Sequence, residues 1–172
     1  YSNSNINGNY GTILMNWSSE EATRSFNPQN EGEIKISADF CFEKYKSDSV
    51  NEKAGYRFSL KGDGSDGETK NLITSYAQMT RGFYINYVGE KDTNGNEISV
   101  PDIAPESDQA SEFNTWYNIQ ATLDYTTGKG KILYLPYTEY NSLSNTYTLG
   151  DAIFEYEFNF DTTIKLSSIS FQ

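Results

Sequence analysis

The chain has 172 residues, 24 of them acidic and 13 basic, and its net charge of −11 repels nucleic acid and anionic membrane surfaces, which excludes both as partners. It contains no histidine, so the commonest general base and metal ligand is missing, and its single cysteine, Cys41, has no partner for an internal disulfide. The length suits one well-cored domain, residues 1–172, and no apolar run is long enough to insert into a membrane. The abrupt opening at Tyr1 and the end at Gln172 read as those of a module excised from a larger multimodular protein.

Taken in order, residues 1–12 are polar and rich in Asn and Gly, and read as an exposed lead-in or a short edge strand. Thr12–Trp17 follows as a first strand. Ser18–Arg24 reads as one turn of helix with Ser18 or Ser19 as its N-cap, and Asn27–Gly32 as a loop. Glu33–Phe42 alternates cleanly: Ile34, Ile36, Ala38, Phe40 and Phe42 point one way, and Lys35, Ser37, Asp39 and Cys41 the other. Residues 43–53 form a charged loop. Tyr56–Leu60 repeats the alternation, with Tyr56, Phe58 and Leu60 inward and Arg57 and Ser59 outward. If these two strands belong to one sheet, Asp39, Cys41, Arg57 and Ser59 share its outer face, where Arg57 and Asp39 would pair.

Gly62–Glu68 is a turn, and Asn71–Met79 and Arg81–Val88 are strands, the second with Phe83, Ile85 and Tyr87 on one side and Tyr84 and Asn86 on the other. Gly89–Phe113 is a long polar stretch broken by Pro101 and Pro105, with a tight-turn signal at Asn94-Gly95. Pro136–Gly150 reads as a second polar loop bearing Tyr137 and Tyr140. Ala152–Phe160 alternates strictly, and Ile164–Phe171 closes the domain with a change of apolar phase after Leu166 that predicts a bulge.

Residues 113–135 organise the rest. Tyr117, Ile119, Ala121 and Leu123 alternate with Asn118, Gln120 and Thr122, the period of a strand with one face on a core. Asp124-Tyr-Thr-Thr-Gly128 then supplies turn chemistry, with Gly128 free to take positive φ, and Lys131–Leu135 returns as the partner strand. This Trp-Tyr-Asn-Ile-x-Ala-x-Leu-Asp-Tyr-x-Thr-Gly-Lys run resembles the central hairpin of concanavalin-like, laminin-G-type β-sandwich domains. A weaker echo lies at Ile36–Phe42 and Ile164–Phe171. The resemblance implies a jelly-roll sandwich, an architecture used as carbohydrate-binding modules in secreted bacterial polysaccharide-degrading proteins, and also for protein binding or as spacers. It also implies a structural role for Trp116, which is therefore left out of the expected site. Short antiparallel strands between Gly, Asn and Asp turns lead independently to an all-β fold, a single antiparallel β-sandwich.

Three kinds of chemistry are conceivable for such a chain. A glycosidase needs two carboxylates flanking the bond it cleaves. Glu155 and Glu157 share a strand face, but the concanavalin-like hydrolase pattern Glu-x-Asp-x-x-Glu is absent and alternating acids are ordinarily a solvated face, so no catalytic residue is expected. Asp63, Asp66 and Glu68, and the run Asp92–Glu97, are oxygen-rich loops of the kind calcium uses, although Asp/Asn/Gly clusters are turn formers first. No cofactor is required, and a structural calcium is the one ion for which ligands are offered. Sugars present apolar C–H faces and a rim of hydroxyls, which aromatic planes, amides and Arg complement. Fourteen tyrosines, ten phenylalanines and two tryptophans supply the planes.

Trp17, Arg57, Tyr84, Asn86, Gln120, Tyr137 and Tyr140 are the expected ligand-binding residues. Trp17 has a second reading, as a cap on the core beside the first strand. The expected function is a non-catalytic module that binds a plant polysaccharide of the starch or hemicellulose class, secreted and cell-surface associated, and linked to catalytic or scaffold domains. An adhesin-type or spacer module is the alternative. The lone thiol of Cys41 is expected to be inert.

Overall fold

A computed structural model describes residues 21–41, 55–78, 82–88, 115–141 and 146–172. The expected strand Thr12–Trp17, the loop 43–53 and the long polar stretch 89–113 lie outside them.

Ten strands make up the described fold: β1 (Ala22–Gln29), β2 (Glu33–Cys41), β3 (Gly55–Asp63), β4 (Thr69–Gln78), β5 (Gly82–Val88), β6 (Trp116–Asp124), β7 (Lys129–Asn141), β8 (Thr146–Leu149), β9 (Phe154–Asn159) and β10 (Lys165–Phe171). All pairings are antiparallel. One sheet has the order β1-β10-β3-β4-β5. The other runs β2-β6-β7, with β9 along the first part of β7 and β8 along its last part. No helix occurs among the described residues.

Three local expectations are corrected in whole or in part. The helical turn at Ser18–Arg24 fails where it can be seen, because Ala22–Arg24 begins β1. The loop at Asn27–Gly32 holds only for its second half: β1 continues to Gln29, with a register shift between Ser25 and Gln29, and residues 30–32 connect it to β2. The polar, proline-containing run of β1 has no hydrophobic alternation to reveal it; the ladder of β10 makes it a strand. Within Pro136–Gly150, expected as a loop, Pro136–Asn141 is the outer part of β7 and Thr146–Leu149 is β8, while residues 142–145 lie outside the described residues. Pro136 is tolerated inside β7 because it lacks only a donor: its carbonyl still accepts the Gly150 N–H at 2.8 Å.

Other expectations hold. Gly128 has φ of 68°, and Asp124 caps the turn by accepting from the Thr126 N–H at 2.8 Å and the Thr127 hydroxyl at 2.7 Å. The bulge near the chain's end is present as a register shift between Leu166 and Ser168.

The inner faces of the two sheets meet in one core. Phe40 of β2 stacks on Tyr56 of β3 at 4.6 Å between centroids, and Phe83 of β5 meets Tyr134 of β7 at 4.5 Å. Tyr134 is wholly buried, and its hydroxyl shares a 2.6 Å hydrogen bond with Ser75 of the opposite sheet. A second tie joins the central turn to the closing strand: the Tyr125 hydroxyl donates to the Ile164 carbonyl at 2.9 Å and accepts the Leu166 N–H at 3.0 Å. Each links a polar atom of one sheet to a partner that would otherwise lack one in an apolar interior.

Tyr134 also contributes to the loss of stability at alkaline pH, as do Tyr56 and Tyr125, whose burial likewise raises their pKa values. Burial raises the Tyr134 pKa far above the usual phenol value, opposed only in part by the Ser75 hydrogen bond. The unfolded chain ionises this tyrosine near pH ~10 while the folded chain keeps it neutral, so its contribution is complete below that pH and is lost as pH rises above it. The expected slope is about −1.4 kcal/mol per pH unit from this residue. Urea unfolding between about pH 8 and about pH 11 checks it, with Tyr134→Phe expected to flatten the slope.

Candidate functional site

The outer face of the β2-β6-β7 sheet is built by the polar half of three alternating strands. Register places Asp39 opposite Asn118 and Asn118 opposite Leu135. The next row toward the turn holds Ser37, Gln120, Leu133 and Glu155. The row on the other side pairs Cys41 with Trp116. Tyr137 lies in line with Trp116, one position beyond the Tyr117–Pro136 pair.

Trp116, for which the hairpin's resemblance implies a structural role, stands partly open on this face. Its side chain is 44% exposed, the single exposed large hydrophobic among the described residues. The tryptophan is the first residue of β6, and the alternation that buries Tyr117 turns Trp116 outward.

Beside it lies a connected polar network. Asn118 is 5% exposed although it points away from the core. Its amide nitrogen donates to Asp39 Oδ1 at 2.6 Å and to Ser37 Oγ at 2.9 Å, and its carbonyl oxygen accepts from Gln120 Nε2 at 2.9 Å. The Tyr137 hydroxyl donates to the same Asp39 Oδ1 at 2.8 Å. To reach β2 from β7 it must cross two strand spacings, about 9.6 Å, so its ring runs over β6 and shelters Asn118. The side chains that would face a ligand are thereby locked before it arrives, which limits the ordering entropy lost on binding. Leu133 and Leu135, both half-buried, add apolar surface to this face.

Two of the expected ligand residues, Gln120 and Tyr137, are therefore brought together, Tyr137 from a strand rather than a loop rim. Asp39 and Asn118, which join them, were not among the expected site residues. Period-two alternation put each on a polar face, but only the β2–β6 pairing makes them neighbours. Tyr140 lies farther along β7, opposite Tyr147 of β8.

Arg57 is on β3, in the other sheet, so it neither shares a face nor pairs with Asp39. Its row runs Arg57–Tyr76–Tyr84 across β3, β4 and β5. Asn86 belongs to the same edge strand, β5. This second polar face also holds Ser59, Thr74 and Ser170, all buried, with Ser59 and Thr74 hydroxyls sharing a 3.1 Å hydrogen bond. Glu21 meets Lys61 there, and hydrogen bonds from Lys61 and Ser170 hold its carboxyl below the usual range. Trp17 lies outside the described residues.

The acidic turn is otherwise engaged. Asp66 accepts from Lys70 at 2.5 Å and from the Glu68 N–H at 3.1 Å, and Asp63 accepts from the Ser167 hydroxyl at 2.8 Å. No group of three or more His, Cys, Asp or Glu side chains fit to hold a metal occurs among the described residues. Asp92–Glu97 lies outside them. Glu155 is ion-paired with Lys131. Near that pair, at the turn end of the same face, Thr122, Lys129, Lys131, Glu157 and Asn159 line a shallow depression of about 300 Å³. Among the described residues no helix is long and apolar enough to cross a membrane. No protein-family model matches the chain, and no curated protein matches it significantly.

Proposed function

We propose that the protein is a non-catalytic carbohydrate-binding module, a concanavalin-like jelly roll that holds a plant polysaccharide of the starch or hemicellulose class against the outer face of β2, β6 and β7. The observation that carries this reading is the exposed Trp116 beside the Asp39–Asn118–Gln120–Tyr137 network. A partly exposed indole suits the C–H face of a pyranose, and the fixed amides and carboxylate beside it suit its hydroxyl rim. No bond is made or broken. The module works by raising the local concentration of linked catalytic or scaffold domains on the polymer. A secreted, cell-surface protein of a polysaccharide-degrading bacterium is its setting.

A second reading, an adhesin-type or spacer module, is favoured by the aromatic residues themselves. Phe40, Phe58, Phe83, Tyr117, Tyr125, Tyr134, Phe154, Phe158 and Phe160 are all committed to the core. Affinity electrophoresis separates the two. Migration through gels containing starch, xylan, xyloglucan, β-glucan or pectin is expected to be retarded by at least one polymer. Unretarded migration in every gel supports the spacer.

A further inference from the structure

Resting on that reading of the site, we propose that its ligand is an uncharged polysaccharide and that Asp39 is the residue that rejects polymers of uronic acids.

Asp39 is the one formally charged side chain in the three rows around Trp116: the others are Cys41, Tyr137, Asn118, Leu135, Ser37, Gln120 and Leu133, until Glu155 ends the last row. The charged pairs of this face, Lys35 with Glu33 and Lys131 with Glu155, lie toward its other end and outer edge. No basic side chain stands among the three rows to receive an anion.

The geometry of Asp39 then decides what kind of group can meet it. Its Oδ1 is taken by Asn118 at 2.6 Å and by Tyr137 at 2.8 Å, whereas Oδ2 receives no hydrogen bond from another described residue. The side chain is exposed, so Oδ2 is open to a ligand. An ionised carboxylate only accepts hydrogen bonds. A sugar hydroxyl donates and fits. A uronate carboxylate also only accepts, so it finds no donor at this point and meets a like charge, a juxtaposition that costs a complex strongly.

Asp39→Asn relaxes this preference while keeping the shape. With the amide oxygen in the place of Oδ1, still accepting from Asn118 and Tyr137, the amide nitrogen takes the place of Oδ2 and offers a donor. Hydroxyls, which donate and accept, are still served; carboxylates become acceptable.

The test is affinity electrophoresis of wild type, Asp39→Asn, Asp39→Glu and Glu31→Gln in gels of each neutral polymer, of the same polymer oxidised at C6 or otherwise carboxylated, and of pectate. Glu31→Gln removes the same charge beyond the far end of β2, about 26 Å away along the strand. Circular dichroism verifies that each variant is folded. Wild type, Asp39→Glu and Glu31→Gln are expected to be retarded only by neutral polymer. Asp39→Asn is expected to gain at least roughly tenfold in affinity for the carboxylated form.

Equal retardation of wild type by neutral and carboxylated polymer overturns the inference and leaves the carbohydrate-binding reading standing. So does a preference for neutral polymer that Asp39→Asn leaves intact, or one that Asp39→Glu or Glu31→Gln abolishes. Absence of retardation in every gel, neutral or carboxylated, overturns the carbohydrate-binding reading itself, and this inference with it.

Discussion

Trp116→Ala is expected to abolish retention on the polymer that wild type binds, with affinity falling by roughly 30-fold or more, the loss typical of a tryptophan at the centre of a binding site. The side chain is 44% exposed, so most of the surface it would bury against a sugar is free before binding. Because the residue is also a little more than half buried, the substitution is expected to cost roughly 1–2 kcal/mol of folding stability, not enough to unfold the domain. The two measurements, gel retardation and urea midpoint, must therefore separate. Trp116→Phe, which keeps a smaller stacking face, is expected to fall between wild type and Ala. Undiminished retention in Trp116→Ala would sink the site. A large fall in stability would return Trp116 to the structural role that the hairpin's resemblance implies.

Phe83→Ala is expected to have the opposite profile. Phe83 is fully buried on β5, at 4.5 Å from Tyr134 and 5.4 Å from Tyr117 between ring centroids. Both tyrosines belong to the other sheet, so this ring is a contact between the layers rather than within one. Truncation removes most of a large apolar side chain and leaves a cavity that two interlocked tyrosine rings cannot collapse to fill. The expected cost is about 3–5 kcal/mol, a large share of the roughly 5–15 kcal/mol that holds a typical domain folded. Aromatic geometry adds to it, because the edge-to-face contact with Tyr117 is lost with the ring. The urea midpoint reads this directly; a change of under about 1 kcal/mol would mean that β5 does not pack as described. If the mutant folds at low temperature, polymer binding is expected to persist, since Phe83 lies on the opposite side of the β6–β7 layer from Trp116.

Local pattern made much of the fold legible. The strands β2, β3, β6, β9 and β10 follow from period-two alternation, because each has one face on the core and one polar face. The hairpin turn follows from Asp124 and Gly128, whose roles are local: one caps backbone donors and the other accepts positive φ. Even the bulge after Leu166 leaves a trace, since an extra residue moves the apolar phase by one. β1 and β8 are harder to read. Ala-Thr-Arg-Ser-Phe-Asn-Pro-Gln carries no regular alternation, and Thr-Tyr-Thr-Leu alternates over only four residues, too short a run to stand out from a polar stretch; both complete the ladders of their neighbours.

By itself, then, the sequence determined an all-β chain, the inward set of its clearest strands, the central turn, and a net charge of −11. Only the tertiary structure decided which polar faces became one surface. Asp39 and Arg57 look equivalent along the chain, each an outward residue of an alternating strand. Strand pairing puts Asp39 beside Asn118 and under Tyr137, and Arg57 in the other sheet with Tyr76. The physical reason is that side-chain alternation is a property of one strand, whereas a binding face is a property of strand order, and strand order is set by long-range pairing that no single segment encodes.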